Sequence, residues 1–411
     1  MMRETWARLG RMHQFAALRH RSFRLLWTDT VLSSTARWAD MVVIGWLTLE
    51  LTDSPLMVGI VAGSKMAGYV AAPFMGVIAD RMNRRLLLVL AAAVNFSVSA
   101  IMLLLFVSGW LELWHVIALA LVSSLTWALD NPTRNAFVPD LVDAKDLTNA
   151  IALNAVAVEI TVVVGPALGG LLIPAFGMGG AYGLIAAIYF MDVVVLCLLK
   201  DVKHAVAHVQ ESAVKSLVGG IRYVWKNQTV LALLVIACLL NLLAAPYRYA
   251  FLPIFARYIL DAGPAGYGML TAMAGLGALV AGVWVVSLGN FRHKGRLLAC
   301  SAVAWPLSLL LFALSTGYYL SLALVFAAGL AQAIAWTVIA TLILGNTAQA
   351  MRGRVMGLRT GVVVSLPVGN LLAGAAAERL GAPLAQGAYA ATAIVIMLAI
   401  VMMAPSVRRL E

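Results

Sequence analysis

Long apolar runs separated by short polar connections are the feature that most constrains this chain. Hydrophobic residues fill 63% of its 411 positions and charged residues only 11%, whereas a soluble domain carries about 25% charged residues. A chain this apolar cannot cover a water-facing surface, but it can cover a lipid-facing one. Because one membrane-spanning helix needs about 20 apolar residues, the length accommodates about twelve such helices with short connections.

The order of the runs predicts an all-α membrane protein with twelve transmembrane helices in two pseudo-symmetric six-helix bundles. The expected parts are a basic N-terminus (1–24), an N-terminal bundle (25–199), a cytoplasmic linker (200–228), a C-terminal bundle (229–404) and a tail (405–411). Residues 214–226 of the linker predict an amphipathic helix on the membrane surface. The spans, numbered 1 to 12, are expected at about 25–50, 56–79, 86–108, 114–137, 148–174, 181–199, 229–258, 266–288, 297–316, 318–344, 355–378 and 384–404.

The two halves share weak internal similarity. The end of span 2 (76–85) is similar to the end of span 8 (287–296), and residues 165–172 of span 5 are similar to 366–372 of span 11. The members of each pair lie about 200 residues apart. Internal repeats of this kind place a substrate site near the middle of the membrane, between the halves.

Basic residues are strongly biased to one side of the predicted spans. If the N-terminus is cytoplasmic, 24 of the 29 lysines and arginines fall in cytoplasmic segments, and only Arg257 and Arg379 fall in the opposite loops. The bias predicts a multi-pass protein of the bacterial inner membrane with cytoplasmic N- and C-termini. Since the basic residues recur in short loops, nucleic acid is not an expected partner. Six arginines ahead of span 1 leave a mitochondrial presequence as an alternative.

Ionisable residues within spans indicate a functional cavity, because a charge at mid-membrane costs about 2.5–3.5 kcal/mol on insertion scales. Glu159, near the centre of span 5, is the first candidate for a proton carrier. The alternative is a fixed ion pair between Glu159 and one of the expected cavity charges. These are Arg37, Lys65 and Arg248.

Asp40 and Asp130 are the other candidates for proton coupling. Arg37 and Asp40 lie three residues apart on one helix face, so a static pair between them is the alternative for Asp40. Asp130 could serve a cytoplasmic gate with Arg134. It could also reach water from the helix end, which is what we expect of Asp29.

Aromatic and amide side chains within the spans could line a cavity for a small amphipathic organic molecule. Each of them could instead pack between helices. The candidates are Trp38, Trp127, Asn154, Asn241, Tyr247, Gln332, Trp336 and Asn370.

Residues 76–85 resemble the loop signature of the major facilitator superfamily, with Ile78 in place of leucine and Asn83 in place of a glycine. A carboxylate at a helix end, next to a basic cluster, forms strong charge-assisted bonds. The resemblance implies the major facilitator fold and a conformational latch that holds the two halves together, with a plain topology anchor as the alternative. The latch residues would be Gly76, Asp80, Arg81, Arg84 and Arg85.

The stretch from Gly165 and Pro166 to Gly169 and Gly170 resembles the antiporter motif of span 5 in the same superfamily, where it marks exporters and permits a bend. Residues 51–55, 130–154 and 352–357 are similar to the enterobactin-exporter-like branch. The branch implies proton-driven export by a monomer without cofactors. No arginine occupies the middle of span 4, which puts the expected proton route in doubt.

Several other functions are disfavoured. The chain has no Walker-type phosphate loop, which argues against an ATP-driven pump. Its six histidines lie in loops or at span ends, so neither a metal site nor an enzyme is expected. A proton-coupled importer and a non-transporting receptor stay open as alternatives. Within export, a siderophore or metabolite competes with a drug as substrate.

Overall fold

The computed structural model describes residues 13–72, 75, 82–199, 213–289 and 292–403, and no β-strand occurs among them. The helices agree with the predicted all-α class. In chain order they are His13–Arg19 (3₁₀), Arg21–Thr52, Pro55–Met66, Ala67–Ala71 (3₁₀), Arg84–Val107, Leu113–Leu141, Ala144–Asp146 (3₁₀), Leu147–Cys197, Ala213–Lys226, Gln228–Leu243, Tyr247–Phe251 (π), Leu252–Tyr258, Gly263–Ser287, Lys294–Leu314, Tyr318–Gly345, Gln349–Met351 (3₁₀), Arg352–Val362, Ser365–Leu380 and Ala382–Met403.

Nine helical stretches of the described chain are long and apolar enough to cross a membrane. One of them, Ala144–Cys197, has 54 residues, and at 1.5 Å per residue it is far longer than a hydrocarbon core of about 30 Å. Gly177 leaves the helical conformation there with a φ of 70° and separates spans 5 and 6. With Arg21–Thr52 and the shorter Pro55–Ala71, the set is consistent with twelve crossings.

Polar caps fix where several spans begin. The side chains of Ser54, Asn83 and Asn227 each accept a hydrogen bond from the backbone N–H three residues later. Such caps satisfy backbone donors that have no partner inside the helix. Spans 2, 3 and 7 therefore start within two residues of the predicted positions.

Three spans depart from regular helix. Span 2 tightens into a 3₁₀ helix at Ala67–Ala71, and span 11 is divided into Arg352–Val362 and Ser365–Leu380. Span 7 contains a π-helical turn at Tyr247–Phe251, directly after Pro246. A proline cannot donate the usual backbone hydrogen bond, and π turns are frequent at functional sites.

The two halves contact each other through glycines. A Cβ on Gly59 of span 2 would lie 2.8 Å from the Cα of Gly374 of span 11. A Cβ on Gly170 of span 5 would lie 2.7 Å from the Cα of Gly268 of span 8. Only glycine permits such close approach of two helix backbones. Gly59 and Gly268 are separated by about the internal repeat of 200 residues, and so are Gly170 and Gly374. The two contacts are therefore equivalent under the repeat.

These glycine contacts lie toward one side of the membrane. We call the side where His13–Arg19 and Ala213–Lys226 lie the basic side, and the opposite one the distal side. On the distal side, Asp53 forms an ion pair with Arg257 (3.0 Å). The Ser54 hydroxyl also donates to the carboxylate of Glu378 (2.9 Å). The halves are therefore closed together distally. Beyond the contact of Gly275 with Val162, Ala155 and Glu159 on the same face of span 5 are exposed, so the cleft between the halves opens toward the basic side.

We expect Gly170→Val to weaken the distal closure, because the new side chain would overlap the backbone of span 8. Spin labels on Leu51→Cys and Leu380→Cys, which are exposed at distal ends of opposite halves, report the change in a cysteine-free background. Electron–electron resonance should show a longer or broader distance distribution. Gly282→Val is the matched control, since nothing lies within 4 Å of its Cβ position; equal distributions in both variants would contradict the assignment.

Candidate functional site

Arg134 of span 4 organises a buried charge cluster in the N-terminal half. It forms ion pairs with Asp29 of span 1 and, at 2.7 Å, with Asp130 one turn earlier. Its guanidinium also donates to the hydroxyl groups of Thr30 (2.9 Å) and Ser33 (3.3 Å). All the pairing side chains are nearly inaccessible, so the cluster links spans 1 and 4 inside the membrane.

The prediction that Asp29 reaches water is wrong, because its side chain is fully buried against Arg134. Asp192 of span 6 lies beside Asp29 and is also buried. Its Oδ1 atom has no hydrogen-bond partner. The contact of Asp192 with Asp29 depends on how spans 1, 4 and 6 pack, and the sequence alone does not indicate it.

The expected pair between Arg37 and Asp40 is also wrong. Arg37 bonds to Asp130 across the helix interface at 2.8 Å, and Asp40 pairs with Lys65 of span 2. The Lys65 ammonium donates a further hydrogen bond to Ser123 (3.0 Å). Partners on other helices satisfy both charges, although the local spacing of Arg37 and Asp40 also permitted a pair.

Asp40 and Asp130, two of the three candidates for proton coupling, are thus held in ion pairs in this arrangement. Trp127 lies beneath the Arg37 guanidinium, 5.3 Å from the ring centroid, and edge-on to Trp38. Asn154 accepts a hydrogen bond from Thr30 (3.0 Å). The N-terminal half therefore contains a polar network with a cavity of about 10 Å³ between its groups, which holds at most about one water.

Glu159, the third candidate, is exposed and forms no ion pair with any described residue. It lies two and three helical turns from Pro166 and Gly170, on the face of span 5 that contacts span 8. Its side chain therefore faces the open cleft between the halves. Arg248 is within electrostatic range of it. The fixed-pair alternative for Glu159 is absent from this arrangement.

Arg248 lies in the π turn of span 7 and is 7% exposed. Its guanidinium carbon is 5.8 Å from the ring centroid of Trp38 in the opposite half. Its Nε and Nη2 atoms have no hydrogen-bond partner. Neighbouring Tyr247 donates to the amide oxygen of Gln332 at 3.2 Å. Arg248 is thus a buried cation that no described carboxylate neutralises within ion-pair distance.

A cavity of about 270 Å³ opens in the C-terminal half. It contains three of the predicted lining residues, Asn241, Gln332 and Trp336. Asn370 is not among the lining residues; it is fully buried where spans 2 and 11 meet. The complete lining is Asn241, Ala245, Tyr249, Gln332, Trp336, Arg359, Thr360, Val363 and Leu366.

Arg359 is the charged lining residue, and it was not among the predicted cavity residues. Its guanidinium lies 5.9 Å from the Trp336 ring centroid and donates to the Trp336 backbone carbonyl at 3.4 Å. Arg359 follows Arg352 by seven residues, about two helical turns, on the same helix face. This depth within span 11 was the sequence feature that could have indicated a cavity residue.

The predicted antiporter motif packs tightly against two helices. A Cβ on Gly165 would lie 2.5 Å from the Cβ of Trp38, and one on Gly169 would lie 2.5 Å from the Ala39 carbonyl oxygen. Pro166 lies inside the helix, and its carbonyl faces Gly268 of span 8. The motif thus places span 5 against span 1 and the opposite half at once.

The predicted latch is only partly within the described residues, since Gly76, Asp80 and Arg81 lie outside them. Arg84 bonds to Asp140 at 2.6 Å and to the Ala136 carbonyl at the same distance. Arg85 donates to the backbone carbonyl of Cys197 at 2.8 Å. Both arginines contact their own half in this arrangement.

His20, Asp143 and Asp146 on the basic side are the described residues whose ligand atoms are close enough to hold a metal ion. His20 Nε2 and Asp146 Oδ2 are 3.0 Å apart and form a hydrogen bond with each other. Asp143 is largely exposed and also lies near Lys145. The geometry is that of a surface ion-pair cluster.

Comparison with known proteins agrees with this architecture. Residues 12–411 match the family model described as transmembrane secretion effector. Macrolide efflux protein A of Streptococcus pyogenes is 22% identical over 367 residues, which cover 87% of this chain and 90% of that protein. The enterobactin exporter EntS of Citrobacter koseri is 27% identical over 357 residues, 85% of this chain and 80% of that protein.

Solved structures share the fold at low identity. The nucleoside transporter NupG aligns with a TM-score of 0.76 and 14% identity over 93% of this chain and 99% of its own. The peptide transporter POT in complex with sulfate aligns with a TM-score of 0.76 and 13% identity over 95% of both chains. These similarities establish the fold, and they carry no information on the substrate.

We expect Arg134→Gln to destabilise the protein by roughly 3–5 kcal/mol, because it leaves buried carboxylates without their cation. The free energy of unfolding can be measured by denaturant titration in mixed micelles. Lys145→Gln is the control, since its pair with Asp143 is exposed and 3.7 Å long. Neutralising a carboxylate in the double variant Arg134→Gln, Asp29→Asn should recover part of the loss. A change as small as that of the control would contradict a structural role for Arg134.

Proposed function

The chain belongs to the transmembrane secretion effector family, whose members are membrane transporters with the major facilitator fold, and on this premise we propose that it exports a small amphipathic organic molecule in exchange for protons. One observation carries the proposal. The cleft between the halves is closed on the distal side and open on the basic side, and the ionisable Glu159 faces it without an ion-pair partner.

Alternating access requires two arrangements of the same pair of halves. The distal closure depends on backbone contacts between glycines and on a few exposed polar bonds, such as that of Asp53 with Arg257. Exposed ion pairs contribute little, about 0–1 kcal/mol each. A substrate or proton that favours the other arrangement can therefore shift the equilibrium without breaking a buried ion pair between the described residues of the two halves.

The direction of transport is proposed as export. The basic side would be the cytoplasm according to the positive-inside rule, so the present arrangement would receive its substrate from within the cell. Two relatives are named as an efflux protein and an exporter. Import of a substrate with protons is the competing function, and the direction of flux separates the two.

Glu159 is the proposed proton carrier. A carboxyl in a cleft that alternates between two aqueous sides can load a proton on one side and release it on the other. Asp40 and Asp130 are poorer candidates, because each already balances at least one buried cation. Asp40 would take part only if Lys65 exchanged partners during the cycle.

The latch assignment stays a proposal. Arg84 and Arg85 hold spans 3, 4 and 6 together in the present arrangement. Closure of the basic side would bring the 76–85 segment toward the C-terminal half, where its charges could find new partners. The basic cluster would then stabilise the arrangement that is open distally.

We expect Glu159→Gln to abolish gradient-driven transport while preserving exchange of substrate, because the amide cannot carry a proton. The test uses proteoliposomes with an imposed pH gradient, a pH-sensitive dye inside, and a panel of catecholates, macrolides and lipophilic cations. Glu50→Gln is the matched control, as this residue is at the distal end of span 1 and bonds to Trp46.

Loss of both driven transport and exchange in Glu159→Gln would assign the residue a structural role. Undiminished proton movement in that variant would remove Glu159 from the coupling route. If substrate accumulates on the side to which the protons move, the protein is a proton-coupled importer. If every compound binds but none is transported, it is a receptor.

A further inference from the structure

The two halves differ in how their buried cations are neutralised. In the N-terminal half Arg37, Lys65 and Arg134 all have a carboxylate within ion-pair distance. In the C-terminal half, the stretch 213–403 contains only two acidic residues, Asp261 and Glu378. Both lie at the distal end of the bundle, with Glu378 bonded to Ser54. No acidic residue is therefore available to the cavity of this half from its own helices.

Arg359 is the cation in the cavity wall. Its Nε atom is buried and has no hydrogen-bond partner, and no described carboxylate forms an ion pair with it. An arginine that only sets topology extends to the surface, as exposed Arg352 does two turns earlier on the same helix. Arg359 instead lies along the Trp336 ring, where the guanidinium is shielded from water on one side.

Two amide side chains of the cavity, Asn241 and Gln332, have N–H groups that can donate hydrogen bonds to a ligand. Asn241 is 5% exposed, and its Nδ2 atom lacks a partner. The amide oxygen of Gln332 accepts from Tyr247, which leaves its N–H groups for other partners. Buried donors without partners cost free energy unless a ligand accepts from them. Arg248 precedes cavity-lining Tyr249 in the chain, but its guanidinium lies over Trp38 of the opposite half, so Arg359 is the cation of this cavity.

We propose that this cavity, lined by Asn241, Gln332, Trp336 and Arg359, binds the anionic group of an amphipathic organic anion that carries an aromatic ring. Arg359 would pair with a carboxylate or a similar planar anion, for which its fork of donors is well suited. Trp336 and Tyr249 would contact the ring. The proposal names the substrate class for the transport site, and it rests on the proposed function only in calling the ligand a substrate.

The charge of the ligand is the testable element. Three naphthalene probes of nearly equal size isolate it: 2-naphthoate, 2-naphthamide and 2-naphthyltrimethylammonium. Binding to the purified full chain in lipid nanodiscs is measured by equilibrium dialysis, and partition into empty nanodiscs is subtracted. We expect 2-naphthoate to bind at least about tenfold more tightly than 2-naphthamide, as one charge-assisted pair provides. The cation should bind least.

Arg359→Gln should remove the preference for 2-naphthoate over 2-naphthamide and leave binding of the amide nearly unchanged. Arg359→Lys should restore part of the preference, because charge returns without the planar fork. Arg352→Gln is the matched control, with the same charge change on the same helix outside the cavity. It should keep the wild-type preference.

Equal binding of all three probes, a preference for the cation, or loss of the preference in Arg352→Gln would each overturn the proposal. So would absence of binding by every probe while the unfolding temperature of the protein is normal. The assay involves no gradient. A preference for anions that depends on Arg359, in a protein that moves no protons, would refute the transport mechanism and leave this site intact.

Discussion

A charge inside a bilayer must find an opposite charge or reach water, and the arrangement of this protein follows from that constraint. Spans 1, 2 and 4 are tied together because their lysine and arginines are neutralised by aspartates on neighbouring helices. Removal of one member of the Arg134 cluster would leave a buried charge without its partner. The cluster therefore holds spans 1 and 4 of the N-terminal half together.

The contact between the halves has a different physical basis. Glycines on four spans allow backbones to touch, and only short polar bonds reinforce them at the distal rim. Contacts of this kind involve small residues and close backbone packing, and no buried ion pair of the described residues crosses between the halves. Alternating access requires the two halves to move against each other largely as rigid bodies, and an interface without buried ion pairs permits this movement.

The unbalanced charges lie where the two units face each other. Glu159 from one half and Arg248 from the other approach the cleft without forming an ion pair, and Arg359 lies in the wall of the C-terminal cavity. Among the described residues, the buried cations of the N-terminal half are paired with aspartates, whereas Glu159, Arg248 and Arg359 at the cleft and cavity have no ion-pair partner. The paired charges therefore stabilise the helix packing, and the unpaired charges at the cleft are the candidates for binding protons and ligand.

The sequence by itself determined the membrane class and the starts of several spans, and its prediction of twelve spans is consistent with the structure. Each of these depends on local composition, since about 20 apolar residues make a span and one cap such as Ser54 sets where it begins.

The pairing of the charges depends on tertiary structure. Arg37 forms its ion pair with Asp130 and not with Asp40, and Asp29 is buried in an ion pair with Arg134. The contacts of Gly59, Gly268 and Gly374 with the opposite half also could not be predicted from the sequence. A glycine in an apolar run does not show which other helix backbone will approach it. Local composition determines whether a segment forms a membrane span, and the packing of segments distant in the sequence determines which side chains contact each other.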